Sequence, residues 1–310
     1  MKRLALALIV LIVAGAGGFW VLTIPQGPPS ERMAAMQAHT PDLADGENTF
    51  WLAGCASCHS VQGSEGAARL ELVGGYQLKS DFGTFVAPNV SMHTNDGIGA
   101  WTLEDFATSI IAGVSPDGRH YYPAYPYQSF ARMTDEDIAN LWAFWQTLPA
   151  VATPADQPET ELGFPFNIRR GVGLWKLAFL DSDPFVDPSL LPETPEMARG
   201  QYLTEGMGHC GECHTSRNVA GALRADVWLA GAPNPSGQGR IPNITPHPDG
   251  IDSWTEDDIA FSLESGFTPT FDSYGGTMAS VAKNYANVRA EDRQAIAAYL
   301  KAIQALPDLQ

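Results

Sequence analysis

The sequence predicts an all-α protein in which a single N-terminal transmembrane helix precedes two tandem small helical domains. Three observations predict this fold class. The chain begins with an uncharged run, Leu4 to Ile24, that is long enough to cross a bilayer. The pattern C-x-x-C-H then occurs once in each half of the 310 residues. Helix start and stop signals follow each pattern in the same order, which indicates an internal duplication.

The N-terminal run is predicted to be a membrane anchor formed by residues 1–25. Lys2 and Arg3 precede it and are expected to stay in the cytoplasm, so that the rest of the chain is exported. A cleaved signal peptide is the alternative, because Ala14-Gly15-Ala16 resembles a cleavage site. The apolar run continues past that site, which favours the uncleaved anchor. We therefore expect a single-pass protein of the inner membrane whose other residues lie on the periplasmic side.

The charge balance limits the partners that this chain can have. Lys and Arg total 18 against 35 Asp and Glu, so the formal net charge is −17. A chain this acidic is not expected to bind nucleic acid, because the phosphates would repel it. The acidity suits docking against a basic patch on a redox protein, and a generally acidic exported surface explains it equally well.

The two C-x-x-C-H patterns are predicted to attach haem c covalently. The cysteines of each pattern are three residues apart, so one helical turn presents both thiols to the same edge of a porphyrin. The histidine that follows is placed as an axial ligand of the iron. A zinc site or a redox dithiol is the alternative, but neither requires a histidine after the second cysteine in both patterns. The residues are Cys55, Cys58 and His59, and Cys210, Cys213 and His214.

Composition and the repeat divide the chain behind the anchor. Residues 26–45 are rich in proline, glycine and small polar residues without sustained periodicity, and they are expected to form a tether. The first domain is expected at 46–150 and the second at 196–310. The proline-rich segment 151–195 would connect them and hold a short basic amphipathic helix. That helix is expected to pack between the domains, with the membrane surface as the second choice.

Matching helix signals occur in both domains. Thr102 begins a capping-box pattern in the first domain, and Gly113 is suited to end the helix that follows. Thr255 and Gly266 have the same positions relative to a helix in the second domain. Each domain is expected to end in one further apolar helix. Repetition of whole helix signals is harder to obtain by chance than a single motif, so it supports two homologous domains.

The residue on the second side of each iron decides the function, because a methionine there raises the potential and suits electron transfer. Met278 follows two glycines in the loop before the last helix and is the predicted ligand in the second domain. In the first domain Met133, directly before the final helix, is favoured over Met92. His93 and His120 are further candidates.

Several of these features are similar to those of dihaem class I c-type cytochromes. They are the paired haem motifs, the Trp-Thr helix starts at Trp101 and Trp254, and the aromatic loop 121–127. More narrowly, residues 46–310 resemble the cytochrome subunits of membrane-bound alcohol, gluconate and related sugar dehydrogenases. Those subunits commonly carry three haem motifs, where this chain has two. The resemblance implies two tandem class I cytochrome c domains, two covalently bound haem c groups, and iron ligation by His59, His214, Met278 and Met133.

Together these observations predict an electron carrier and not an enzyme. The chain is interpreted as a membrane-anchored dihaem cytochrome c that transfers single electrons between a dehydrogenase and the respiratory chain. Its partners would be a dehydrogenase, a terminal oxidase or both, and the membrane. A dihaem peroxidase and a cytochrome subunit of a haem–copper oxidase are the alternatives. Arg217 and Arg240, near the second motif, either pair with haem propionates or are ordinary surface arginines.

Overall fold

A computed structural model describes residues 1–235 and 239–309, and helices dominate this part of the chain. The helices are α1 (Lys2–Leu22), α2 (Ser30–Ala38), α3 (Leu43–Leu52), α4 (Cys55–His59), α5 (Leu103–Ala112), α6 (Tyr127–Phe130), α7 (Asp135–Trp145), α8 (Val172–Phe179), α9 (Pro195–Glu205), α10 (Gly211–His214), α11 (Glu256–Ser265), α12 (Gly276–Tyr285) and α13 (Ala290–Ala302). The strands are β1 (Gln77–Ser80), β2 (Gly83–Val86), β3 (Glu161–Leu162), β4 (Ala232–Pro233) and β5 (Arg240–Ile241).

The sequence predicts an all-α fold, but the described residues also form five short strands. Strands β1, β2 and β3 form one antiparallel sheet in that order, and β4 pairs with β5 in an antiparallel ribbon. Each strand has two to four residues, so none is long enough to show the alternating pattern from which a strand is predicted. The fold is therefore mostly helical, with two small sheets in its loops.

Helix α1 is the predicted apolar helix. It has 21 residues, and its most apolar 18-residue stretch has a mean hydropathy of 2.5 and is not buried against the rest of the protein. The end of the helix is held at Thr23, whose carbonyl accepts a 2.9 Å hydrogen bond from Nε2 of His120. Arg170 donates to the Thr23 hydroxyl at 2.8 Å, and its guanidinium lies 4.3 Å from the ring centre of Trp20. Length and composition suit a membrane span, and a signal sequence near an N-terminus has the same properties.

The expected tether at 26–45 is instead partly helical and packed. Helix α2 lies within it, and its Met33 and Met36 are buried in the hydrophobic core. Arg32 holds the helix in place, with hydrogen bonds to the carboxylate of Asp135 at 2.6 Å and to the carbonyl of Met133 at 2.7 Å. Two buried methionines in nine residues are too weak a pattern to predict a helix, so tertiary packing decides this segment.

Helices α3 and α7 cross at the centre of the first half, residues 43–149. A β carbon on Gly46 would overlap the backbone carbonyl of Asn140, so the two helices approach this closely only at a glycine. Phe50 of α3 packs against Trp145 with ring centres 5.5 Å apart. Helix α5 begins and ends where predicted, because Thr102 forms a full capping box and Gly113 adopts the left-handed conformation at φ 59°.

The second half, residues 195–306, repeats these elements. Helix α9 crosses α13 at Gly200, where a β carbon would overlap the backbone carbonyl of Ala295. Thr255 forms the capping box of α11, and Gly266 ends that helix at φ 75°. The predicted helix signals are thus confirmed in both halves.

Segment 151–195 contacts both halves through α8, as expected. Trp175 donates from Nε1 to the carbonyl of Ala220 in the second half at 2.9 Å. Lys176 donates to the carbonyl of Gly113 in the first half at 2.6 Å. Leu174 and Leu177 lie on the outer side of this helix, with 43% and 64% of their surface exposed.

Candidate functional site

The two C-x-x-C-H patterns form short helices with the same geometry. Helix α4 contains all five residues of the first pattern and follows Gly54, which has φ 64°. Helix α10 begins at Cys210 as its N-cap and ends at His214. In both helices the two cysteines lie one turn apart and the histidine closes the helix. This arrangement suits two thioether bonds to one edge of a porphyrin.

Each motif histidine is oriented by a proline carbonyl. Nδ1 of His59 donates to the carbonyl of Pro88 at 2.9 Å, and Nδ1 of His214 donates to the carbonyl of Pro242 at 2.8 Å. Because the proton sits on Nδ1, the lone pair of Nε2 is free to bind a metal. Burial lowers the pKa of both histidines, and the hydrogen bond to the carbonyl offsets part of that effect. Both rings are therefore held neutral and in the tautomer that an axial ligand needs.

The residues fit haem c better than zinc. Across residues 1–235 and 239–309, no group of three or more histidine, cysteine, aspartate or glutamate side chains converges as a metal site. Burial raises the pKa of Cys55 to about 12 and that of Cys58 to about 11, so these thiols lack the lowered pKa of a reactive dithiol. The cysteines would attach the haem and the histidines would ligate its iron. Haem c, when bound, supplies a one-electron couple.

The two motifs contact each other's half through matched residues. Ser57 and Glu212 are the third residues of the two motifs, and Ser129 and Asn284 are the penultimate residues of α6 and α12. Asn284 donates to Ser57 at 2.8 Å, and Ser129 donates to Glu212 at 3.0 Å. The same pair of positions therefore meets twice, which is the signature of an approximate two-fold axis between the halves.

Residues beside the motifs complete this interface. Nε2 of His209, which precedes Cys210, donates to the carbonyl of Ala53 at 3.1 Å, and its ring lies 5.6 Å from that of Phe130. Asn48 of α3 donates to the buried carboxylate of Asp292 in α13 at 2.7 Å. The Cys213 thiol lies close enough to add to the raised pKa of Cys58. The motif helices α4 and α10 therefore lie against one interface and not on opposite sides of the molecule.

The predicted distal ligands have different environments. Met278 lies in the first turn of α12 with a partly exposed side chain. Met133 is only 2% exposed and belongs to the hydrophobic core. It also donates from its backbone N to the carbonyl of Phe130 at 2.9 Å, as Val288 does to Tyr285 at 3.1 Å. Met133 is thus the counterpart of a valine that is 3% exposed, and its role as an iron ligand stays a prediction.

The other candidate ligands are engaged elsewhere. His120 is buried against Thr23 at the end of α1, and His93 accepts at Nδ1 from the backbone N of Asp96 at 3.0 Å. Met92 is partly buried, and its backbone N donates to Pro149 at 3.2 Å. The rings of both histidines are therefore engaged by backbone groups, whereas the bond of Met92 involves its backbone alone.

The two candidate arginines for propionate binding have different surroundings. Arg217 pairs with the carboxylate of Glu212 and donates to the carbonyl of Gly221 at 2.8 Å. Arg240 lies exposed in β5. Arg217 therefore contacts the second motif helix directly, whereas the Arg240 side chain is exposed to solvent.

Sequence reasoning missed the residues that support the motifs. Pro-Asn occurs at 88–89 and again at 242–243, but nothing in the sequence links these prolines to the motif histidines, whose partners their carbonyls are in the structure. Gly46 and Gly200 precede the motifs at nearly equal spacing, and this spacing was the available signal for the helix crossings. No sequence pattern indicates the contacts of Ser57 and Glu212, because an internal repeat shows which residues are equivalent but not which residues of the two copies touch each other.

Comparison with known proteins agrees with this geometry. The family model for cytochrome c matches residues 43–149, which include the first motif and helices α3 to α7. A dihaem cytochrome c-type protein of Cereibacter sphaeroides is 47% identical over 305 residues, covering 98% of this chain and 99% of the relative. The chain belongs to the cytochrome c family.

Further relatives of this cytochrome are subunits of larger enzymes. The cytochrome subunit of fructose dehydrogenase from Gluconobacter japonicus is 35% identical over 96% of this chain and 58% of its own length. The cytochrome c subunit of a quinone-dependent alcohol dehydrogenase from Gluconobacter oxydans is 34% identical over 93% of this chain and 61% of its own. This cytochrome thus spans about three fifths of those subunits. The predicted resemblance is confirmed, and with it covalently bound haem c and a role in electron transport.

Proposed function

We propose that this protein is a membrane-anchored dihaem cytochrome c that transfers single electrons between a dehydrogenase and the respiratory chain. Two tandem class I domains would each hold one haem, through Cys55, Cys58 and His59 in the first and Cys210, Cys213 and His214 in the second. The single observation that carries this proposal is the placement of α4 and α10 on one interface. Two haems attached there would have their thioether-bonded edges close together, and electron transfer through the molecule needs such proximity.

The chain's own groups support transfer without bond-breaking chemistry. The proline carbonyls hold the motif histidines neutral and in fixed orientation, so the ligand set changes little with oxidation state. The relatives named as dehydrogenase subunits support a dehydrogenase as the electron donor. The net charge of −17 favours a donor or acceptor with a basic docking patch.

Co-purification tests the proposal. When the protein is isolated in detergent from its native membrane, we expect a dehydrogenase to accompany it and to reduce both haems when its substrate is added. The matched control is the same preparation with a sugar or alcohol that the enzyme does not oxidise. A protein that co-purifies with no dehydrogenase and consumes hydrogen peroxide catalytically would contradict the carrier function and favour the peroxidase alternative.

Met278 is proposed as the distal ligand of the second iron. Met278→His is expected to lower the second potential by about a tenth of a volt or more, within the roughly 0.8 V that axial ligands span. A thioether favours ferrous iron relative to imidazole, which gives the direction of the shift. Redox titration measures it, with Thr277→Ser as the neighbouring control. Unchanged potentials in the Met278→His variant would remove Met278 from the ligand set.

Helix α1 is proposed to remain as the anchor. Its exposed apolar surface and the contacts of Thr23 with His120 and Arg170 support a helix that leaves the folded part in a fixed direction. We expect the full-length protein to sediment with membranes and to need detergent, while a variant with residues 1–24 replaced by a cleavable export signal is soluble. N-terminal sequencing that finds Gly17 as the first residue of the native protein would show cleavage instead.

A further inference from the structure

The loops before α6 and α12 share a backbone register that is set by hydrogen bonds. In the first half, the backbone N of Tyr121 donates to the carbonyl of Gly113 at 2.7 Å. In the second half, the backbone N of Tyr274 donates to the carbonyl of Gly266 at 2.8 Å. Both glycines are the left-handed ends of the equivalent helices α5 and α11. The same bond thus ties the same turn in both halves.

An isolated β-bridge inside each loop confirms the register. Val114 pairs with His120 in the first half, and Phe267 pairs with Ser273 in the second, both antiparallel. The loops therefore run residue for residue from the capping glycine to the tyrosine that follows the bridge. Four residues beyond Tyr121 lies Tyr125, and four residues beyond Tyr274 lies Met278.

Counting back from the last helices gives a different answer, and the structure explains why. That count places Met278 opposite Pro123. Helix α12 has ten residues where α6 has four, so the two halves differ in length between the bridged loop and the last helix. The register from the capping glycines is fixed by hydrogen-bonded backbone as far as Tyr121 and Tyr274, and only four residues separate those tyrosines from Tyr125 and Met278. The count from the capping glycines therefore matches Tyr125 with Met278.

The surroundings of Tyr125 suit a residue that faces the first motif. Its side chain is partly buried against the core and lies within electrostatic range of Cys55. The rings of Tyr121 and Phe130 flank it, each with a ring centre 5.8 Å away. Phe130 in turn contacts His209 beside the second motif. These aromatic contacts fix the ring of Tyr125 between Tyr121 and Phe130.

We propose that Tyr125 occupies, in the first haem site, the position that Met278 occupies in the second. The first site then presents a phenol oxygen to the iron and lacks a thioether. Oxygen donors stabilise ferric iron and thioethers stabilise ferrous iron, so the two sites have unequal potentials, with the first the lower. This inference rests on the proposed function only in assuming one haem per motif.

Spectroscopy of the oxidised holoprotein tests the donor set. The charge-transfer band of methionine-ligated ferric haem is expected to have half the intensity that two methionine-ligated haems would give. Met278→Leu is expected to remove the band, and Tyr125→Met to double it while raising the lower potential. Met133→Leu, which keeps the volume of the core nearly unchanged, is expected to leave the band intact.

Each result decides for or against the inference. A wild-type band with the intensity of two methionine-ligated haems, or a band that falls in Met133→Leu, would place a methionine in the first site and overturn it. A Tyr125→Met variant that carries both haems but gains no band would also overturn it. Tyr125→Phe tests whether the hydroxyl is an iron ligand. If it is, its removal alters the spectrum of the first haem; if Tyr125 only lies nearby, the spectrum stays unchanged and the inference is overturned. Reduction by the co-purified dehydrogenase is measured on the same variants, so failure of the carrier function is distinguishable from failure of this inference.

Discussion

Replacing Cys55 and Cys58 together by alanine is expected to halve the covalently bound haem. The two attachment helices are separate in the chain, and each supplies its own cysteine pair and its own histidine, so the second site has no need of the first pair. Adding Cys210→Ala and Cys213→Ala is expected to remove the remaining haem. The pyridine haemochrome assay on purified protein measures haem per chain directly.

The control for this experiment lies inside the motif. Ser57→Ala changes the residue beside Cys58 and removes its hydrogen bond with Asn284, but it leaves both thiols in place. We expect this variant to retain both haems. Two haems in the Cys55→Ala, Cys58→Ala variant would contradict attachment at the first motif, and loss of both would indicate that the halves do not mature independently.

Gly46→Ala and Gly200→Ala are expected to produce the largest losses of stability among single substitutions. A β carbon at either position would overlap a backbone carbonyl of the crossing helix, and a backbone group cannot rotate away as a long side chain can. Overpacking of this kind costs about 3 kcal/mol, which corresponds to a fall in Tm of roughly 6–12 °C in a folded unit of this size. Thermal unfolding of the holoprotein, followed by circular dichroism, measures the effect.

Gly171→Ala is the matched control for the two crossing glycines. Gly171 has helical backbone angles, and no atom lies within 4 Å of the place where its β carbon would be. Alanine there reduces the freedom of the unfolded chain, so the Tm is expected to stay equal or rise slightly. If Gly46→Ala and Gly171→Ala unfold at the same temperature, the helices can separate without loss and the crossing does not limit stability.

Much of this protein is predictable from local signals. A capping box needs only Thr102 and Asp105, and the left-handed helix end needs only Gly113, so these boundaries follow from a few adjacent residues. The apolar helix α1 follows from an uninterrupted run, and the motif helices from five consecutive residues each. Each of these features depends on a single stretch of chain, which is why the sequence predicts it.

Tertiary structure decided whatever depends on two distant stretches. Helix α2 has a weak pattern and is held by Arg32 and its two buried methionines, so it could not be predicted from its own residues. The match of Tyr125 with Met278 needs the backbone bonds of Gly113 and Gly266, because α12 is longer than α6 and a count back from the last helices gives a different match.

The meeting of the two motifs is the clearest case of this division. The sequence by itself determined that the chain has two C-x-x-C-H motifs, capped helices behind each of them, and an apolar helix in front. It did not determine that Ser57 contacts Asn284 and that Glu212 contacts Ser129. The physical reason is that an internal repeat specifies the same local fold twice, whereas the orientation of one copy on the other depends on surfaces that form only after each copy has folded.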